Sequence, residues 1–352
     1  MKLTLWRVDE ELRQSVAASR QRHVARTRLL LEVEHEGVSG YGEVDPQPFS
    51  LHGDPSVTDV IQELDGVVLL QVHGAFERER DVPSWTRLAR FAGSRHASAP
   101  AVTLVEMALL DRELRRAGTT LVEQWPARFA TPHQVTTSLL DETLSNFDPV
   151  DAARVRVKTA PGALSSREIG FLESLGRPVL LDFNCSADSY ADVLEQLASI
   201  PNSVDVVALE QPFAPGNVVD HARLAEQTEV PISLDEGVRN LRDLDQIVRY
   251  QAASLVCVKP ARVGGYANAR TMIERAKELG LRAYVGGFFE SELARSVNRT
   301  LARYTTDEPS DIGAVAAALA RPEAGYSPSS TGFGLVPDKG LLESSVRVVS
   351  LG

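Results

Sequence analysis

From about residue 134 onward, short apolar runs recur along the chain and each one ends in a charge. VRVK closes on Lys158, VLLD on Asp182, VVALE on Glu210, PISLD on Asp235 and LVCVK on Lys259. Successive charges are 24, 28, 25 and 24 residues apart. Runs of Val, Leu and Ile with no polar face read as strands buried on both sides. A parallel neighbour is reached only through a crossover, usually a helix, so one strand, one helix and two loops take about 25 residues. The period predicts eight strands, near 136, 157, 181, 208, 234, 257, 284 and 311. That is the pattern of a TIM-type barrel, and charges at C-terminal strand ends lie where such barrels keep their chemistry.

The intervening segments carry helix ends. Ser165 and Glu168 have capping-box spacing, Asn240 can cap DLDQIVRY, and Met272, Ala276 and Leu279 form a stripe that Gly280 ends. Residues 98–117 predict another helix, with Ala101, Val105, Ala108 and Leu109 on one face and Gly118 as its stop. Before it, LTLWRV and RLLLEVEHEGVSGYGEV have strand character, Leu31, Val33 and His35 alternating with Glu32, Glu34 and Glu36. The polar stretch Gln14–Arg26 lacks a period and is expected to be a loop, as is VDPQPFSLHGDPS at 44–56. The Gly/Ser/Pro-rich tail ends in LLESSVRVVSLG, expected to supply a last strand. The resulting division is an α+β capping domain over 1–125, a barrel over 126–323 and a tail over 324–352 that returns to the cap.

A chain of 352 residues suits one barrel plus a smaller domain. A formal charge of −11 argues against nucleic acid as a partner, because phosphate binding needs a basic face. No apolar run of about 18 residues is present and the first residues turn polar quickly, so neither a membrane span nor a signal peptide is expected. Two cysteines, Cys185 and Cys257, make neither a zinc framework nor a disulfide scaffold, and a cytoplasmic location is the expectation.

Any one strand-end carboxylate alone reads as a helix cap. Asp182, Glu210 and Asp235 in consecutive units, in phase with two lysines, read as a site. Three oxygen donors without Cys or His suit Mg²⁺, with Mn²⁺ as a substitute, and leave positions open for substrate. Lys158 and Lys259 end strands on opposite sides of that arc. A lysine desolvated beside a divalent ion is expected to have a lowered pKa and to serve as a base. Metal plus amine base is a known solution for removing a weakly acidic proton beside a carboxylate, through an ene-diolate.

These motifs resemble the enolase superfamily, in particular its muconate-lactonizing subgroup of o-succinylbenzoate synthases, N-succinylamino acid racemases, dipeptide epimerases and cycloisomerases. K-x-K, D-x-N, E-Q-P, D-E and K-P-x-x-x-G-G fall in order as Arg156–Lys158, Asp182–Asn184, Glu210–Pro212, Asp235–Glu236 and Lys259–Gly265, with GYGEV at 40–44 similar to a capping-domain G-x-G-E. The resemblance implies a modified (β/α)7β barrel with an α+β cap, Lys158 and Lys259 as acid and base, and Mg²⁺ on Asp182, Glu210 and Asp235. It also implies a small carboxylate substrate under the segments 14–26 and 44–56, and is compatible with a homo-oligomer. Arg156, Asn184, Glu236, Ser291 of GGFFES and Asp311 of PSDIG are further substrate-binding or electrostatic candidates. Arg156 departs from the motif's first lysine and, always charged, cannot share base duty. It either stabilises an enolate or pairs with a carboxylate. No histidine follows His221, which argues against a histidine base on the last strands, and His52 reads as a solvated loop residue. The expected reaction is syn-dehydration of the synthase type. Racemisation, epimerisation and cycloisomerisation on the same residues are alternatives, as is a barrel that only binds ligand.

Overall fold

The computed structural model describes residues 1–18, 21–79, 97–130, 132–140, 151–312 and 325–352. Strands β1 (Lys2–Ala18), β2 (Gln21–His35) and β3 (Val38–Val44) form an antiparallel sheet, which the C-terminal strand Val346–Leu351 completes beside β1. Leu3, Leu5, Leu29, Leu31 and Val33 bury one face against Leu104, Val105 and Ala108 of the helix Ala99–Ala117. Gly40 and Gly42 of β3 allow that contact, since a Cβ on them would stand 2.2 Å from Arg112 N and 2.3 Å from Leu104 O. The helix ends, as its sequence predicts, at Gly118, with φ 67°.

The loop expected over 14–26 is corrected. β1 and β2 stay paired to Ala18↔Gln21 with one shift of register between Glu11 and Val16, and only residues 19 and 20 fall outside the described chain. An antiparallel ladder satisfies backbone groups whatever the side-chain period, so a polar, aperiodic stretch can still be strand. The segment 44–56 is a loop, pinned by bridges Gln47↔Ser56 and Leu51↔Asp54.

Seven parallel strands follow in sequential order: β4 (Gln134–Ser138), β5 (Arg154–Lys158), β6 (Val179–Asp182), β7 (Val206–Glu210), β8 (Ile232–Leu234), β9 (Leu255–Val258) and β10 (Arg282–Val285). The eighth position is filled by an extended segment. Ser310 O accepts from Gln134 N and Asp311 N donates to Val285 O, joining the two edge strands. The fold is a modified TIM barrel capped by the antiparallel sheet. Leu180, Ala208, Leu255, Cys257 and Tyr284 fill the interior, and Val155, Val157, Leu181 and Leu209 face the outer helices. Capping boxes at Ser165, Ser189 and Asn240 start three of those helices, two of them legible in the sequence. Residues 313–323, which the sequence assigned to the end of the barrel, and residue 324, the first of the tail, lie outside the described residues.

One helix is capped by the other layer of the molecule. The helix Tyr266–Glu278 has no side-chain cap of its own, and its first amides, Tyr266 N and Ala267 N, donate to the fully buried Glu106 of Ala99–Ala117. Burial pushes Glu106 from 4.5 up to about 7. The folded state therefore holds a proton that the unfolded chain has released, and the stabilisation present below about 4.5 is lost as pH rises through about 7. Glu106→Gln cannot titrate. The stability of the native protein relative to this variant should fall by about 3 kcal/mol between pH 5 and 8 in denaturant titrations. A difference that stays constant with pH would refute the shift.

Candidate active site

The period-2 geometry of β5 sends Arg154, Arg156 and Lys158 to the interior in successive layers, with Lys158 at the mouth. Register places Lys158 beside Asp182 and Asp182 beside Glu210 on adjoining strands. Asp235 and Lys259 each follow the last residue of β8 and β9. All three carboxylates are 0% exposed. Lys158 Nζ donates to Asp182 Oδ2 at 2.9 Å and Lys259 Nζ to Asp235 Oδ2 at 2.7 Å. Between them lies Arg156, whose Nη2 is 2.8 Å from Asp182 Oδ2, 3.5 Å from Asp235 Oδ2 and in short contact with Glu210 Oε1.

The neighbours of these groups set their orientation. Asn184 Oδ1 accepts from Lys158 Nζ at 2.7 Å while its Nδ2 donates to Glu236 Oε1 at 3.3 Å, so two of the sequence candidates form a chain leading from Lys158. Gln211 Oε1 accepts from the amides of Asp235 and Gly237, which locks the β7 and β8 ends together. Asn184, Cys185 and Gln211 all have positive φ, 43°, 61° and 38°. Such non-glycine conformations persist only where surrounding contacts over-determine them, and they gather at functional sites.

Charge balance separates the acids. Burial opposes ionisation of Asp235, but Arg262 and Lys259 hold it well below the usual carboxylate range. Asp182 is likewise held low by Arg156 and Lys158 against burial. Burial pushes Glu210 up to about 7, with Asp182 and Asp235 adding to the effect and Arg156 opposing it. Glu236 is raised by burial and by Asp235. For Lys259, burial lowers the pKa, yet Asp235 holds it above its ordinary value. The depressed value expected of a desolvated lysine is thus overturned at this position by a contacting carboxylate.

Two sequence candidates are engaged elsewhere. Ser291, fully buried, donates its amide at 2.6 Å and its hydroxyl to Glu43 of GYGEV, and Tyr326 Oη donates to the same carboxylate at 2.7 Å. Its polar atoms hold the barrel helix Glu292–Thr305 to the antiparallel sheet rather than facing the three acids. Asp311 sits at the eighth barrel position and accepts from Arg295 Nη1 at 3.5 Å. Several residues escaped the sequence reading. Arg262 bridges Asp235 to Asp54 of the 44–56 loop, with Nη2–Oδ2 at 2.8 Å, and Arg239 Nη1 lies 3.0 Å from Asp54 Oδ1. Tyr284 donates its hydroxyl to Glu210 Oε2, and Phe288 lays its ring 4.8 Å from Lys259 Nζ. His23 of β2, buried beside Phe289, is lowered to about 4 by burial, Arg26 and Lys158. The phase of Tyr284 along β10, opposite Glu210, was the one available signal; the others join segments far apart in sequence. His52 accepts at its backbone carbonyl from Arg239 Nη2 at 2.6 Å.

Lys259 also depends on a close approach. A Cβ on Gly286 would stand 2.3 Å from Cys257 Sγ and 3.0 Å from Lys259 Cγ. Gly286→Ala should push the amine aside and lower kcat by about 10²-fold, the effect of misplacing a reacting group by about 1 Å. Native kcat in the variant would show that the amine's position is not critical.

Comparison with known proteins places this geometry. A family model described as Enolase C-terminal domain-like matches residues 171–338, the part of the chain that carries Asp182, Glu210, Asp235 and Lys259. The o-succinylbenzoate synthase of Bacillus subtilis is 25% identical over 316 residues, 86% of this chain and 81% of that protein. The chain is similar to enolase-superfamily proteins. An N-succinylamino acid racemase from an Amycolatopsis species is 30% identical over 222 residues, which span 61% of this chain and 59% of the relative. A crystal structure of an enolase-superfamily member from Listeria innocua superposes with a TM-score of 0.82 at 21% identity, covering 99% of this chain and 97% of that one, and shows the same fold. No helix among the described residues is long and apolar enough to cross a membrane.

This similarity raises the question of Mg²⁺. Among the described residues, no three His, Cys, Asp or Glu side chains close on one another as a metal cage, because the Arg156 guanidinium stands between the acids. The donors still fit the ion. They are three buried carboxylates, one oxygen of each reaches within 3.5 Å of a single atom, and a small hard cation prefers oxygen ligands.

Proposed function

We propose that this protein is a Mg²⁺-dependent enzyme that removes the proton α to the carboxylate of a small-molecule substrate, and that its reaction is syn-dehydration of the o-succinylbenzoate synthase type. The observation that carries this reading is the pair of amines, from β5 and from the end of β9, hydrogen-bonded to different carboxylates of one buried centre. Asp182, Glu210 and Asp235 would hold the ion. Bound there, Mg²⁺ supplies Lewis acidity that stabilises charge on the substrate carboxylate as its α-proton leaves.

Lys158 is the base. Asn184 and Asp182 fix its Nζ, and as the free amine it takes the proton from the α-carbon. The resulting ammonium returns that proton to the departing β-hydroxyl on the same face, which leaves as water, and the double bond forms between the α- and β-carbons. Lys259 remains cationic. Asp235 stabilises its charge, and the Phe288 ring lies within cation–π range of it, so it faces the developing negative charge as a fixed positive group. Burial of the acids excludes water from this exchange.

Racemisation of an N-acylamino acid is the second reading. It is favoured by the near-equivalent engagement of the two amines and by the named activity of the Amycolatopsis relative. One experiment tests both. The purified protein is incubated in deuterated buffer with a panel of cyclohexadiene carboxylates and N-succinylamino acids, with NMR following α-proton exchange and absorbance following an aromatic product. Dehydration yields the aromatic product; racemisation yields exchange with loss of optical activity. No exchange with any carboxylate in the panel would remove the proposal.

A further inference from the structure

We propose that Arg156 is the resident counter-ion of the metal position, and that guanidinium and divalent ion occupy the carboxylate centre alternately. The inference rests on reading Asp182, Glu210 and Asp235 as the Mg²⁺ set. A single nitrogen, Arg156 Nη2, contacts all three of those carboxylates. The convergence point of the donors is therefore already filled by a cation belonging to the chain. Arg156 is 4% exposed and the three acids are 0% exposed, so water cannot screen the negative charge they carry when nothing else does. Lys158 and Lys259 each engage a single acid, at the oxygen that Arg156 also contacts, and Arg262 takes the other oxygen of Asp235. Of these four cations, Arg156 is the one that contacts all three acids.

The two cations cannot share that point. A guanidinium does not lose its proton in a protein, so its charge cannot be switched off to make room, and two positive groups in contact repel strongly in a buried site. Binding the metal therefore requires Arg156 to withdraw. Its hold is incomplete, because the guanidinium engages through Nη2 while its buried Nε has no hydrogen-bond partner. A one-edged grip of this kind can be released without breaking a bidentate pair. While Arg156 is in place the folded protein needs no metal to balance its acids. The ion sees only the fraction of molecules in which Arg156 has withdrawn, and its apparent affinity is reduced by that fraction.

The test is calorimetric titration of Mg²⁺ into metal-stripped native protein, Arg156→Lys and Arg156→Gln, with melting temperatures measured with and without Mg²⁺. Arg156→Gln should bind Mg²⁺ at least about 10-fold more tightly than the native protein, as expected when a competing occupant of the site is removed. Its metal-free form should melt below the native protein, and saturating Mg²⁺ should raise its melting temperature by more than it raises the native one. Arg156→Lys should bind with intermediate affinity. If Arg156→Gln folds only when Mg²⁺ is present, the proposal stands. If it does not fold at all, Arg156→Lys decides, with tighter binding than native in support and equal or weaker binding against. Equal affinities in all three proteins overturn this inference alone. No Mg²⁺ binding by any of them overturns the metal reading beneath it.

Discussion

Lys158→Ala should abolish α-proton exchange and lower turnover by at least the roughly 10²–10⁴-fold associated with a general acid–base group. Lys259→Ala should lower turnover over the same range but keep part of the exchange, because it would remove a fixed cation rather than the proton acceptor. The asymmetry follows from the surroundings of the two amines. Lys158 is oriented by Asn184 Oδ1 as well as Asp182, whereas Lys259 is held in its charged form by Asp235 and lies near the Phe288 ring. Solvent deuterium incorporation, followed by NMR in the two variants with their metal content measured, is the check. If each variant instead exchanges the α-proton of one enantiomer only, the reaction is racemisation and both lysines are bases. Near-normal rates in both variants would remove the mechanism.

Stripping the protein with a chelator should abolish turnover, and adding Mg²⁺ should restore it. Lewis-acid stabilisation of the substrate carboxylate would contribute several kcal/mol, more than either amine could replace. Glu210→Gln separates this role from folding. Burial already pushes Glu210 up to about 7, so near neutrality a neutral side chain is a modest change for the metal-free fold. Its acceptor contacts with Tyr284 and Arg156 are ones that an amide oxygen can keep in part. The variant should melt within a few degrees of the native protein and bind Mg²⁺ far more weakly. Full activity in demonstrably metal-free protein, or native Mg²⁺ affinity in Glu210→Gln, would overturn the assignment.

The barrel was legible because its information is local. A strand buried on both faces is a run of Val, Leu and Ile, and its crossover has a narrow range of lengths. Position at the strand end therefore translates directly into position at the mouth. Lys158, Asp182 and Glu210 end their strands and Asp235 and Lys259 follow theirs by one residue, as the spacing of the charges predicts. The hairpin that continues through 14–18 and 21–26 was not legible, since its ladder rests on backbone pairing that leaves no side-chain period.

Sequence by itself determined the repeat, the order of the strands and the five charged groups that they carry to one end of the barrel. Only the tertiary structure decided how those charges are shared. It joined Arg262 to Asp54 across 208 positions of sequence and committed Ser291 to Glu43 across 248. It also set Arg156, one layer below Lys158, at the centre of three acids from three other strands. The physical reason is that strand identity is written in neighbouring residues. The pairing of buried charges depends instead on how the closed sheet and its cap bring distant residues within contact range, where each ion must find a partner because water is absent.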